Sequence, residues 1–228
     1  MDRRTFLKTV PAAAMLAGVM PVSARGDLSV ITLPRPEKDG GKSVLAALWE
    51  RRTNRDISDT KLAPQVLSNL LWAAFGVNRE QGSFGKPGRT APSASNSQEI
   101  DLYVALPDGV YRYEAIPHRL VPVVAGDLRS RSGRRAARTA PVNIFYVADL
   151  TRYDEGPGQP DRNIGDPEVQ KSYYYVATGL IAQNVYLFCA SHGLAAWFHN
   201  CDKENTSKEL KLRPKQRVLF AQTVGYPA

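Results

Sequence analysis

With 228 residues, of which 43% are hydrophobic and 23% charged, the chain has the composition of a globular domain, and this excludes disorder, a collagen-like repeat and a disulfide scaffold. It is long enough to bury a sizeable core unaided, and no apolar run reaches the roughly 18 residues that a membrane-crossing helix needs. The net charge of +8 would permit an anionic partner such as nucleic acid, so the compartment has to be read first.

Residues 1–24 combine a basic start, an apolar stretch from Val10 to Val22 and the small-residue ending Val22-Ser23-Ala24, the pattern of a bacterial export signal. Within it, Asp2-Arg3-Arg4-Thr5-Phe6-Leu7-Lys8 resembles the twin-arginine (Tat) motif, which addresses folded proteins to their own export machinery. A periplasmic location follows, with no nucleic-acid partner, and export after folding suits a protein that takes up its cofactor in the cytoplasm. Residues 25–42 are rich in Pro, Gly and charge and read as an extended arm, leaving 43–228 as the single domain.

Ser43 is placed to cap a helix over Val44 to Glu50, and Pro64 opens a second one through Phe75, with Val66, Leu67, Leu70, Leu71 and Ala74 on one stripe and Gly76 ending it. Gln81 to Ala94, rich in Gly, Ser and Pro, reads as a loop. Ile100–Leu106 and Val110–Ala115 flank the turn Pro107-Asp108-Gly109 and predict a hairpin. Ala140 to Leu150 is apolar enough for a central strand. Asp166-Pro167 caps a long helix to about His192, stopped by Gly193, with Ala177, Ile181, Val185, Phe188 and Cys189 on its buried stripe. A short strand over Leu194 to His199, a short helix over Glu204 to Leu210 and a strand over Gln216 to Val224 complete an irregular α+β order with no internal repeat.

Three separated segments carry a further pattern: Arg51-Arg52-Thr53-Asn54-Arg55, then Pro92-Ser93-Ala94-Ser95-Asn96-Ser97-Gln98, then Gln183-Asn184 with Ser191-His192-Gly193-Leu194. In this order, and with the closing Val-Gly-Tyr-Pro, they resemble the nitroreductase family of flavin enzymes. The stretch from Tyr103 to Leu120 is similar to the branch that includes azoline-oxidising dehydrogenases. The resemblance implies a nitroreductase-like fold, a central, mostly antiparallel sheet flanked by helices. It also implies FMN as cofactor, a small-molecule substrate, and a homodimer with the flavin at the interface. Arg51, Arg52 and Thr53 would meet the phosphate and ribityl chain, and Arg55 would set a cation beside N1 and the C2 carbonyl, the one residue in a catalytic role. Pro92, Ser93, Ala94 and Asn96 would reach the flavin from the partner subunit, and Ala195 and Ala196 would turn backbone N–H groups toward N5 and O4. Family members continue past the Gly-Tyr-Pro equivalent with a basic phosphate ligand, for which Arg213, Lys215 or Arg217 are the candidate substitutes here. The aromatic residue common just after the glutamine is replaced by Glu99 and Ile100.

Taken singly, the arginine run also fits a solvated helix end and the Ser-rich segment a plain polar loop. Cys189, His192, His199 and Cys201 could hold zinc, or the cysteines could pair in an oxidising compartment. Arg129, Arg131, Arg134, Arg135 and Arg138 form either a solvated face or a docking surface for an acidic redox partner. Asp149, Asp154, Asp161 and Asp166 lack calcium-loop spacing. The competing reading from another class is a non-enzymatic exported flavin-fold or metal-binding partner protein. In the enzyme reading NAD(P)H is scarce in the periplasm, so a periplasmic redox donor or a substrate would reduce the flavin.

Overall fold

Side-chain alternation along the strands decides how the layers stack. The computed structural model describes residues 28–133, 136–154 and 164–228; the export signal expected for 1–24, the start of the arm, Arg134, Arg135 and Asp161 lie outside the described residues. Strands β1 (Ile31–Thr32), β4 (Ile100–Ala105), β5 (Gly109–Glu114), β6 (Arg119–Ala125), β7 (Val142–Asp149), β8 (Ala195–His199) and β9 (Gln216–Gly225) form one antiparallel sheet in the order β1-β6-β5-β4-β7-β9-β8. A separate small hairpin pairs β2 (Val77–Arg79) with β3 (Gly88–Arg89). On β4, Ile100, Leu102 and Val104 enter the larger core, and Tyr103 and Ala105 enter a second core on the opposite face. The first face is covered by helices α2 (Pro64–Phe75) and α3 (Pro167–Ser191); on the second, Leu210 and Leu212, just after helix α4 (Lys203–Glu209), pack against Val218 and Ala221. Because both faces are covered, all eight residues of β7 are buried, which is why VNIFYVAD reads as a nearly unbroken apolar run.

The helix ends follow the capping residues. Ser43 Oγ accepts from the Ala46 N–H at 3.2 Å to start α1 (Val44–Glu50), and the Asp166 carboxylate accepts from the Glu168 N–H at 2.8 Å to start α3. Helix α3 runs 25 residues, a rod of about 37 Å, and Gly193 takes the left-handed φ of +67° that lets the chain turn directly into β8. On α2, Leu70 and Leu71 are wholly buried, and truncating either to Ala would cost about 2–5 kcal/mol.

Two parts of the sheet differ from the sequence expectation. Strand β6 was not expected, because Pro122 interrupts its apolar run. The strand tolerates it because β1 pairs only with Arg119 and Leu120, so from Val121 onward the far side of β6 is a sheet edge where a missing N–H costs no ladder bond. The supposed extended arm supplies that short edge strand. The expected Gln81–Ala94 loop contains β3, folded back on Val77–Arg79.

Candidate active site at the end of the long helix

After α1, the chain does not leave the surface as a free basic run but is laid across the sheet margin. The Arg51 N–H closes α1 on Ala47 O at 2.8 Å, the Asn54 N–H reaches Ala196 O at 3.0 Å, and the Ser58 N–H reaches Tyr226 O at 2.9 Å, while the Ala228 N–H returns to Asp56 O at 3.1 Å. Gly225 permits this crossing: a Cβ there would stand 2.6 Å from Ile57 Cγ2 and 2.8 Å from Pro141 Cδ. Tyr186 on α3 holds the inner side. Its hydroxyl accepts from the Phe198 N–H at 2.8 Å and lies 3.1 Å from Thr53 Oγ1, and its ring carries the Arg51 guanidinium 5.4 Å from the centroid. Arg55 stacks in the same way on Trp197, at 5.2 Å.

These contacts border a cleft of about 540 Å3, lined by Arg51, Arg52, Asn54, Tyr186, Ala196 and Pro227 among others. That volume lies in the range of small-molecule and cofactor sites. Strand alternation sorts the two alanines. Since Ala196 O and the Phe198 N–H both point away from β9, Ala196 presents its edge to the cleft side, whereas Ala195 turns its edge toward β9 and buries its side chain with Ile57 and Ala140.

The Pro92–Gln98 loop lies elsewhere in the same chain. Asn184 Nδ2 reaches Thr90 O at 3.3 Å, two residues before Pro92, and Asn184 and Tyr186 stand about 200° apart around α3. The loop is therefore on the other side of the helix from the cleft. Inside it, Ser95, Asn96 and Gln98 take left-handed φ values of +49°, +50° and +54°. Asn96 Nδ2 reaches Ser83 O at 2.9 Å, and Ser93 Oγ accepts from the Gln98 N–H at 2.9 Å. Thus Arg51, Arg52, Thr53, Arg55 and Ala196 gather at one place, while Pro92, Ser93, Ala94 and Asn96 gather at another.

Tyr186 and Trp197 were not singled out in the sequence. The available signal for Tyr186 was a large aromatic lying off the buried stripe of α3. The candidate substitutes for a C-terminal phosphate ligand lie elsewhere in the same chain: Arg213 pairs with Asp149, Lys215 with Asp154 at 2.7 Å, and Arg217 lies at the start of β9, about 25–30 Å along the strand from Gly225. None of the three lines the cleft of its own chain.

The cysteine and histidine set is also resolved by the sheet. Cys189 belongs to the helix-covered core and Cys201 packs against the opposite one, so the sheet stands between them and both thiols are free. Burial pushes the Cys201 thiol up to about 11 and Cys189 further, keeping both protonated. His192 stacks on Phe188, and His199 lies 2.9 Å from Thr223 Oγ1. Among the described residues no three His, Cys, Asp or Glu side chains converge as a metal would require. In the arginine cluster, Arg129 pairs with Asp127 and donates to Thr139 O and Ala140 O, and Arg131 pairs with Glu209, so these two tie loops and α4 together. Asp149 and Asp166 cap the turns that follow them.

The sequence model of the Nitroreductase family matches residues 48–226. A protein assigned as a nitroreductase in Methanocaldococcus jannaschii is 28% identical over 211 residues, 88% of this chain and 98% of its own. A crystal structure of a Ralstonia eutropha protein, also assigned as a nitroreductase, superposes with a TM-score of 0.76 at 36% identity, covering 87% of this chain and 90% of the other. The fold is shared with a chain of the Escherichia coli microcin synthetase McbBCD complex, with a TM-score of 0.61 at 19% identity over 99% of this chain and 85% of that one. A shorter likeness, 40% over 68 residues, links 28% of this chain with 26% of the trifolitoxin-processing protein TfxF of Rhizobium leguminosarum.

Proposed function

Because this chain belongs to the nitroreductase family, we propose that it is an FMN-dependent oxidoreductase whose flavin lies in the cleft beside β8. One observation carries the reading: the Arg51–Arg55 run is pinned across the margin of β8 by the Asn54-to-Ala196 bond, bordering a 540 Å3 cleft with guanidinium groups and a strand edge. A flavin mononucleotide presents a phosphate dianion, a polar pyrimidine edge and an apolar ring, and the donor set fits each. Arg51, stacked on Tyr186, and Arg52 supply cations for the phosphate, with Thr53 beside them. Ala196 offers a backbone edge with a side chain small enough for close approach. Arg55, held on Trp197, is the cation available to the pyrimidine edge, where positive charge favours the reduced ring. When bound, FMN supplies hydride transfer at N5, reduced by one substrate and reoxidised by another in turn.

The same reading includes a homodimer. Helix α1 buries only Ala47 and leaves Val44, Leu45, Leu48 and Trp49 exposed, Leu45 at 79% and Trp49 at 92%, and α3 adds Val176 and Leu180. A second copy covering this apolar face would bring its own Pro92–Asn96 loop to the cleft, which the first copy cannot do. For the substrate, the Tyr103–Leu120 pattern favours the azoline-oxidising branch, and here a small-molecule substrate would reduce the flavin and a periplasmic redox partner would reoxidise it. Export by the Tat machinery completes the proposal, and a precursor carrying Arg3→Lys and Arg4→Lys should stay in the cytoplasm on cell fractionation.

The test is the visible spectrum of the protein purified from its host, with identification of the released chromophore. About one FMN per chain, lost in Arg51→Ala, is the expected result. A colourless protein that cannot be reconstituted with FMN would overturn the proposal.

A further inference from the structure

The Pro92–Gln98 loop holds three non-glycine residues in the left-handed region within four positions. L-residues other than Asn adopt this conformation rarely, and it persists where the surrounding contacts hold it. Here the surroundings converge on Gln98. Its N–H donates to Ser93 Oγ at 2.9 Å, its Nε2 donates to Pro87 O at 2.7 Å and to Asn96 Oδ1 at 2.9 Å, and its Oε1 accepts from Arg89 Nε at 2.7 Å. Its carbonyl accepts from Arg152 Nη1.

The two arginines are themselves anchored outside the loop. Arg89 donates to Phe75 O at the end of α2 at 3.1 Å and lies 5.0 Å over the Phe75 ring. Arg152, on the turn after β7, pairs at 2.5 Å with Asp101, a β4 carboxylate only 7% exposed. Burial lowers the Arg89 guanidinium to about 10, the mark of a cation held where water is scarce. Two cations drawn from β3 and from a turn 54 residues beyond Gln98 thus meet on one loop residue, although neither belongs to the lining of this chain's own cleft.

We propose that Arg89 and Arg152 are positioning residues that act through Gln98 to hold Ser93 and Asn96 in the shape that a second copy of this chain needs at its flavin. The proposal rests on the flavin reading given above and adds to it the residues that set the donated loop. It requires that damage to the clamp be felt in the partner's cleft and not in the chain that carries it.

Mixed dimers test this by binding alone. One chain carries Arg51→Ala in its cleft; the other carries Arg152→Ala with Asp101→Ala, so that no buried carboxylate is left unpaired. Each homodimer should bind FMN about tenfold or more weakly than the wild type, and Arg152→Lys should recover part of the loss. A mixed dimer isolated through two different tags pairs one intact cleft with one intact loop, so fluorescence titration should find about one tight FMN site per dimer, at wild-type affinity. A mixed dimer with no tight site would overturn the proposal, because the clamp would then serve only its own chain. Wild-type affinity in the Arg152→Ala, Asp101→Ala homodimer would overturn it as well. Wild-type protein that binds no FMN overturns the flavin reading and this inference together, and is told apart by the control titration.

Discussion

The Tyr186 hydroxyl ties α3 to β8 and to the Arg51–Arg55 run at once. The Phe198 N–H can only donate, so Tyr186 accepts there at 2.8 Å, and it shares a second hydrogen bond of 3.1 Å with Thr53 Oγ1 in which either hydroxyl can be the donor. This bond holds Thr53 next to Arg51 and Arg52, which line the cleft, where the proposed flavin would place its phosphate or ribityl oxygens. Tyr186→Phe keeps the ring under Arg51 but removes the hydroxyl, leaving the Phe198 amide without its acceptor. Urea unfolding should show a loss of about 1 kcal/mol, and FMN titration an affinity lower by about fivefold. A stability loss with unchanged FMN affinity would reduce Tyr186 to scaffolding and remove Thr53 from the ligand side. The arginine run was legible in the sequence because its residue types and order form a local pattern. Tyr186 was not, because its partner Thr53 is 133 residues away and only the fold brings them together.

At the scale of elements, α1 is where the proposed homodimer is most open to test. A seven-residue helix is marginal by itself in water, and this one buries a single alanine while turning four large apolar side chains outward. Leu45→Glu separates the two explanations. On a helix that stays exposed the change should alter stability by no more than about 0.5 kcal/mol. Under a second copy it buries a carboxylate, so sedimentation should show monomers with unchanged far-UV circular dichroism, and FMN binding should fall with the dimer. Dimers that persist with the variant would show that α1 lies outside the interface. The helices were legible from capping residues and stripes, and β4, β5 and β7 from alternation and turn chemistry, because those signals are local. Strand β6 was hidden by Pro122, whose acceptability depends on how short β1 is, and β3 by a Gly-rich stretch that pairs only because Val77–Arg79 lies beside it. Both are consequences of neighbours, which the local pattern does not carry.

At the scale of the whole molecule, a site completed by two copies makes flavin binding and association reciprocal. The cleft with Arg51, Arg52 and Ala196 and the loop with Ser93 and Asn96 lie on different sides of α3, so in the proposed homodimer each flavin would draw its contacts from both chains. If FMN binds the dimer more tightly than the monomer by some factor, FMN must tighten the dimer to the same extent per site. The two titrations are then not independent. FMN affinity measured on nanomolar protein should be weaker than on micromolar protein, and sedimentation at fixed protein should shift from monomer toward dimer as FMN is added. The melting temperature should rise with both concentrations, by the mass action that favours whatever the folded state binds. A site contained in one chain gives a different result: FMN affinity independent of dilution, and association indifferent to FMN. Because the Arg152 clamp acts on the donated loop, weakening it should also shrink this coupling, so that FMN no longer draws monomers together even where each chain stays folded.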